Sequence, residues 1–161
     1  MQNMMPIPVS VLLGFAGWTL LALLGTIGWY RWSRILTGRA EIKDFRADEP
    51  HGSDGYRRAM RAHANCLENL PIYTAVVVAI VASGVRSGAL DRLAVAVLVA
   101  RVCQTIIHIA LSPTNFATAL RFVFFLTQIV FMLAMGLIVA RGSTGSEMGA
   151  DFSTLRSHLA L

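Results

Sequence analysis

Charged side chains are scarce in this sequence. Asp, Glu, Lys and Arg make up 14% of the 161 residues, whereas about 25% is usual for a soluble domain. Hydrophobic residues make up 55%, and the mean hydropathy is +0.60. Two runs, Val9 to Tyr30 and Phe122 to Ala140, contain no charged residue, and each is near the ~20 residues that a helix needs to cross a bilayer. The shortage of charge excludes an ordinary soluble domain and predicts an integral membrane protein.

Several signatures of other protein classes are also missing. Cys66 and Cys103 both fall inside apolar segments, so a disulfide framework is not expected. The four histidines and two cysteines show no zinc-binding spacing, and no metal is predicted. There is no Ser-His-Asp order, glycine-rich phosphate loop or internal repeat. The first apolar run has full span length and no basic residue before it, so we expect it to stay in the protein rather than be cleaved as a signal peptide.

Four apolar segments predict an all-α fold, an integral membrane four-helix bundle in one domain over residues 1–140. The spans are predicted at about 9–30, 57–85, 88–111 and 117–140. The second reaches span length only if it begins near Tyr56 and carries the polar sequence RAHANCLEN into the bilayer. Residues 141–161, which are rich in Gly and Ser, are predicted to form a flexible tail.

The distribution of Lys and Arg predicts the orientation. Eight of them lie from Arg31 to Arg61, in the first loop and at the polar start of the second span, and Arg121 lies at the third loop, against four on the other side. The positive-inside rule then places loops one and three in the cytoplasm and both termini on the opposite side. The net charge of +5 follows largely from this topology, so no nucleic-acid partner is expected. The first loop is the only segment long enough to cover a site as a lid.

A polar column runs along the second span. Arg61, Asn65 and Glu68 occur at i, i+4 and i+7, which places them on one helix face. The rise of about 1.5 Å per residue puts Glu68 roughly 10 Å deeper than Arg61. A carboxylate at that depth costs at least a few kcal/mol unless it is paired or hydrated. The column is therefore a candidate binding site.

The third span carries a second polar column, formed by Arg101, Gln104 and His108 at i, i+3 and i+7. Because this helix runs in the opposite direction, Arg101 reaches a depth similar to that of Glu68, and we predict that these two residues form an ion pair. Both columns could be inter-helix hydrogen bonding without any ligand. However, three arginines face one carboxylate in this half of the bundle, and a bound anion could balance the excess positive charge.

The sequence RAHANCLENLP resembles the second helix of the MAPEG family, the membrane-associated proteins in eicosanoid and glutathione metabolism. The signature of that helix is Arg-x-x-x-Asn-x-x-Glu, often followed by Pro, and it is matched here by Arg61, Asn65, Glu68 and Pro71. The resemblance covers about residues 9–140. It implies a homotrimer of four-helix subunits that binds glutathione between neighbouring subunits.

The resemblance also implies roles for individual residues. The positions matching Arg61, Asn65, Glu68 and Asn69 contact glutathione in the family. The position matching Arg121 is credited with holding glutathione as a thiolate, which makes Arg121 the predicted catalytic residue. The third-helix positions matching Gln104 and His108 are often Tyr or His in the eicosanoid-forming members, and the absence of a phenol at His108 disfavours eicosanoid substrates. The predicted glutathione-binding set is completed by Arg34, Arg101, Gln104 and His108.

The function expected from the resemblance is that of a membrane-bound glutathione transferase, with glutathione peroxidase activity as a further expectation. A guanidinium beside a thiol favours the reactive thiolate. The second substrate is expected to be an apolar electrophile or lipid hydroperoxide that enters from the bilayer, either the bacterial inner membrane or the endoplasmic reticulum. Besides a second copy of the chain, membrane lipids are the expected partners.

Two alternatives stay open at this point. The first is a non-catalytic membrane protein of the same fold that binds or presents lipids. A lipid-presenting relative lacks the arginine of the second-helix motif, so the presence of Arg61 favours the enzyme. The second is a small transporter component, which is disfavoured because the sequence lacks broken-helix pairs and inverted halves.

Overall fold

A computed structural model describes residues 5–46 and 52–159, with side chains as far as Gly142. Every regular element in these ranges is a helix. In chain order they are α1 (Ile7–Ala22), a π-helical segment (Leu23–Gly28), α2 (Trp29–Leu36), a 3-10 turn (Ile42–Asp44), α3 (Asp54–Ser83), α4 (Gly88–Ala110) and α5 (Asn115–Leu159).

Four stretches of helix are long and apolar enough to cross a membrane: Ile7–Leu36, Asp54–Ser83, Gly88–Ala110 and Asn115–Gly142. The predicted fold class, an all-helical membrane protein with four spans, is confirmed. The first span continues to Leu36, six residues beyond its predicted end. α5 runs through the region predicted as a flexible tail, whose flexibility stays a prediction. Residues 1–4, 47–51 and 160–161, which the predicted domain and tail include, lie outside the described ranges.

Side-chain caps explain where three of the helices begin. The Ser53 hydroxyl accepts a hydrogen bond from the Tyr56 amide at 3.3 Å, and Ser87 accepts one from the Ala89 amide at 3.2 Å. Thr114 does the same for the Ala117 amide at 3.1 Å. Each bond satisfies a backbone donor that a helix start leaves unpaired. Only four residues, 111–114, separate α4 from α5.

The helices pack around α4, which contacts α1, α3 and α5, while α3 also contacts α1 and α5. In the half of the bundle away from the first loop the core is apolar, with Phe15, Tyr73 and Met135 fully buried. The Tyr73 hydroxyl donates a hydrogen bond to the Pro8 carbonyl at 3.2 Å. Close apolar packing of this kind fixes the helices against one another. The helices α3, α4 and α5, which carry the polar residues, are therefore held in fixed positions by the apolar core.

Candidate functional site

The α3 column lies on the outer surface of the subunit. Arg61 and Glu68 are exposed and Asn65 is half-buried. Within the described part of the chain, neither Arg61 nor Glu68 has a hydrogen bond or an ion pair. Glu68 is 14 residues from the start of the 30-residue helix, or about 21 Å along a rod of about 45 Å. A carboxylate with no partner thus faces outward near the middle of a membrane span.

Arg101 lies behind this column, on α4. Its side chain is 1% exposed, which makes it the largest fully buried side chain in the described ranges. Nη1 donates to Oδ1 of Asn65 at 2.5 Å, and Cζ lies 5.3 Å from the centre of the Phe15 ring. Nε and Nη2 are buried without a hydrogen-bond partner among the described residues. A buried guanidinium with two unused donors is costly, and it places a positive charge directly beneath the exposed column.

The predicted ion pair between Glu68 and Arg101 is replaced in the structure by the contact of Arg101 with Asn65. Glu68 is within electrostatic range of Arg101 but does not touch it. The reason is the rotation of about 100° per residue around a helix. Asn65 lies at the edge of the column nearest the buried side of α3, whereas Glu68 is turned about 60° away from it.

Gln104 and Arg121 meet where α4 packs against α5. Gln104 is 4% exposed, and its Nε2 donates to the backbone carbonyl of Arg121 at 3.1 Å. The Arg121 side chain is half-buried, and among the described residues it bonds to its own helix alone: Nε donates to the Ala117 carbonyl at 3.1 Å and Nη2 to the Thr118 hydroxyl at 2.9 Å. The position of the Arg121 guanidinium, which is predicted to be catalytic, therefore depends on the position of α5.

Gln128 is a polar residue of this region that the sequence analysis missed. It is fully buried, and its Nε2 donates to Oε1 of Gln104 at 3.0 Å. The signal that points to it is a single amide in the run FFLTQIVFML, in which Thr127 is the one other polar residue. Polar side chains inside membrane spans usually face the bundle interior, which is where Gln128 lies.

The remaining predicted residues occupy different surroundings. Asn69 is buried and its Nδ2 donates to the Asn65 carbonyl at 3.2 Å. His108 is half-buried and makes no hydrogen bond within the described ranges. Arg34 is exposed on α2, where its Cζ lies 4.7 Å from the centre of the Tyr30 ring, and it does not join the α3 column. The structure thus forms one bonded cluster from Asn65, Asn69 and Arg101 and another from Gln104, Arg121 and Gln128.

The first loop is attached to the bundle by an aromatic cluster. The Tyr30 and Tyr56 rings stack with centroids 4.3 Å apart, and Phe45 packs edge-on against Tyr56 at 6.4 Å. Nε of Arg31 donates to the Tyr56 hydroxyl at 2.7 Å. These contacts hold Phe45 of the loop and the end of the first span against the start of α3. Residues 47–51 lie outside the described ranges, and the lid role of the loop stays a prediction.

The cysteines and the carboxylates of the described ranges form no group of three or more ligands that could hold a metal ion. Cys66 is fully buried, with its sulfur 3.5 Å from the Thr105 hydroxyl, and Cys103 is half-buried. Both thiols are free. The exposed α3 column and the two bonded clusters offer guanidinium, amide and carboxylate groups that can recognise a charged ligand.

The contact between Asn65 and Arg101 predicts a specific energetic coupling. We expect the free energies of unfolding of Asn65→Leu, Arg101→Met and the double variant to be non-additive by about 1 to 3 kcal/mol, since the charged hydrogen bond is lost in either single variant. The same cycle with Glu68→Gln in place of Asn65→Leu serves as the control, and we expect a smaller coupling from it. Chemical denaturation in mild detergent measures both cycles. A coupling to Glu68 as large as that to Asn65 would contradict the observed pairing.

Comparison with known proteins gives one result. The model of the MAPEG family matches residues 9–141, which is most of the chain and covers all four spans except for residues 7, 8 and 142 at their outer ends. No curated protein and no solved structure matches significantly. The matched range contains the exposed α3 column, the buried Arg101 and the second cluster around Arg121. The four-span helical protein described above is a member of the MAPEG family.

Proposed function

We propose that the protein is a membrane-bound glutathione transferase that joins the glutathione thiolate to an apolar electrophile entering from the bilayer. The observation that carries this proposal is the outward-facing column of Arg61, Asn65 and Glu68 in a membrane span, with the buried Arg101 behind it. Membership of the MAPEG family supports a broad role in glutathione or eicosanoid metabolism.

The charges of the site are complementary to those of glutathione, which carries two carboxylates and one ammonium group. We assign Arg61 to a carboxylate, because a guanidinium binds carboxylates through paired hydrogen bonds. Glu68 is assigned to the ammonium group. Asn65 offers its amide beside them, and its orientation is fixed by Arg101. Asn69, Arg101 and Gln104 are buried behind the exposed α3 column, and we assign them an indirect part in glutathione binding. Arg34 and His108 are proposed to contact glutathione at the end of the bundle nearest the first loop.

Arg121 is proposed to stabilise the thiolate. A thiol with a pKa near 8.5 is mostly protonated at neutral pH, and a guanidinium beside the sulfur favours the ionised form. The thiol loses its proton to water, the sulfur forms a bond to an electrophilic carbon, and the leaving group departs with the bonding electrons. With a lipid hydroperoxide, two glutathione molecules are instead oxidised to the disulfide while the peroxide is reduced to an alcohol and water.

The exposed charges also support a homotrimer, in which a neighbouring copy covers the α3 column. Towards the C-terminal end of α3, beyond Glu68, the same face continues with Ile72 and Val76. These residues line an apolar groove of about 470 Å³ against α5. At Gly136, in the wall of this groove, a Cβ atom would meet nothing within 4 Å. Exposing the charged residues of this column to lipid costs free energy. We place the first loop and residues 111–114 in the cytoplasm and both termini on the opposite side.

The alternative function, a lipid-binding or lipid-presenting protein without catalysis, is consistent with the apolar grooves. It gives no role to an arginine and a carboxylate exposed on α3. The enzyme is therefore the better-supported proposal, and glutathione binding separates the two.

The assembly proposal predicts that the groove is needed for oligomerisation. We expect native mass spectrometry of the wild-type protein in mild detergent to show trimers. Gly136→Leu fills the groove and should shift the protein towards monomers. Gly17→Leu is the matched control, because Gly17 also has open space around its Cβ position but lies outside the groove. A monomeric wild type, or a Gly136→Leu protein as trimeric as the wild type, would count against this arrangement.

Glutathione is predicted to stabilise the purified protein against thermal unfolding. At ten times the dissociation constant the stabilisation should be about 1.4 kcal/mol, since the ligand binds only the folded state. The S-methyl analogue should also stabilise the protein but should not support conjugation, because its sulfur cannot ionise. Differential scanning fluorimetry and a chromogenic aryl halide assay provide the two measurements. The absence of a shift with either ligand would favour the lipid-presenting alternative.

Binding and thiol activation are predicted to depend on different arginines. Arg61→Ala should weaken glutathione binding by roughly 1.5 to 3 kcal/mol, the range for a lost charged hydrogen bond, while the bound thiol still ionises as in the wild type. Arg121→Ala should change binding by only a few fold but raise the pKa of the bound thiol, so that thiolate absorbance at neutral pH falls. Ultraviolet difference titration of bound glutathione measures both variants. An unchanged titration in Arg121→Ala would remove Arg121 from the catalytic role.

A further inference from the structure

Two buried amides connect α4 to α5 beside Arg121. Gln104 is 4% exposed and Gln128 is fully buried. Gln128 Nε2 donates to Oε1 of Gln104 at 3.0 Å and to the Phe124 carbonyl at 2.8 Å. Gln104 Nε2 donates in turn to the Arg121 carbonyl at 3.1 Å. The hydrogen bonds form a chain that begins at Gln128 and ends on the backbone of Arg121.

The donor-to-acceptor direction of these hydrogen bonds is fixed by the two backbone carbonyls that accept them. The Arg121 and Phe124 carbonyls can only accept, so each amide must turn its NH₂ group towards the carbonyl that it contacts. Reversing Gln104 would place its oxygen against the Arg121 carbonyl oxygen and leave two buried acceptors facing each other. Unsatisfied amides are costly in an apolar bundle, and of the four side-chain amide atoms of this pair only Oε1 of Gln128 lacks a hydrogen-bond partner among the described residues. The pair therefore holds one orientation and one separation between α4 and α5 at this level.

α4 carries a second connection on the same side, three residues earlier. Arg101 donates to Asn65 of α3, within the column that we assign to glutathione. The two connections together set the position of Arg121 relative to that column. The Arg121 guanidinium has no bond outside its own helix among the described residues, so no side-chain contact to α3 supplies this positioning.

We propose that Gln104 and Gln128 are positioning residues for Arg121, which place its guanidinium at the sulfur of glutathione bound along α3. This inference rests on the proposed function, in which Arg121 stabilises the thiolate. It gives Gln104 an indirect role, because its amide is buried and engaged at both ends. Neither residue touches the substrate, so the loss of either should move the ionisation of the thiol more than the affinity for glutathione.

The test compares Gln104→Met, which breaks both links, with Gln128→Met, which leaves the bond from Gln104 to the Arg121 carbonyl in place. Full-length protein is titrated with saturating glutathione, and the bound thiolate is followed by ultraviolet absorbance. We expect Gln104→Met to raise the pKa of the bound thiol by about one unit, which is a tenfold change in its ionisation constant, with the dissociation constant changed less than about threefold. Gln128→Met should give a smaller change in the same direction.

Thr19→Val is the matched control. Thr19 is 3% exposed and its hydroxyl donates to the Phe15 carbonyl at 2.9 Å within one helix, so this variant also loses a buried polar contact but no connection to α5. It should lower the melting temperature without changing the thiol titration. If Gln104→Met behaves like Thr19→Val, the amides only stabilise packing and the positioning role is overturned. If Gln104→Met does not fold, a titration of Gln128→Met that matches the wild type overturns it instead.

A second readout does not depend on glutathione. Hydrogen exchange of the first turns of α5, residues 117–125, should become several-fold faster in Gln104→Met and stay unchanged in Thr19→Val. Unchanged exchange in Gln104→Met contradicts the positioning role whatever the ligand. Faster exchange with no glutathione binding by the wild type would instead leave the connection between the helices supported and overturn the proposed function. An effect of Arg121→Ala without an effect of Gln104→Met overturns the positioning role alone.

Discussion

The buried guanidinium of Arg101 is the interaction on which the arrangement of the polar half depends. It lies where three helices meet: it belongs to α4, donates to Asn65 of α3 and packs over the ring of Phe15 of α1. A charge in this position cannot be shielded by water, so the surrounding side chains must stay in place to satisfy even part of it. Nε and Nη2, which have no hydrogen-bond partner in the part of the chain that the structure describes, keep a positive potential beneath the outer surface of α3.

This potential explains why an exposed column in a membrane span can be a site. Arg61 and Glu68 face outward and have no partner in the described part of the chain. Left against lipid they would destabilise the helix. In the trimer that we propose, a neighbouring copy covers them and packs into the apolar groove that follows Glu68 along α3. The proposed glutathione, with its two carboxylates and one ammonium group, would then balance both charges.

The two halves of the bundle are held together by different interactions. In the half away from the first loop, Phe15, Tyr73 and Met135 pack without exposed surface and fix the helix axes. In the other half, amides and guanidinium groups connect the helices through hydrogen bonds that allow only one orientation. Packing thus sets the distances between helices, and the polar contacts set which side chain faces which. The aromatic cluster around Tyr56 then attaches the first loop at the start of α3.

The sequence by itself determined the four helical spans, the polar columns and the family signature around Arg61. These are local properties: hydropathy depends on consecutive residues, and the stripe on a helix depends only on 3.6 residues per turn. Only the tertiary structure decided that Arg101 bonds to Asn65 instead of Glu68, that Gln104 faces α5, and that Gln128 is buried with it. A rotation of about 60° about the axis of α3 exchanges Asn65 for Glu68, and that rotation is set by side chains packing across all the helices. Spacing within one helix carries no information about it.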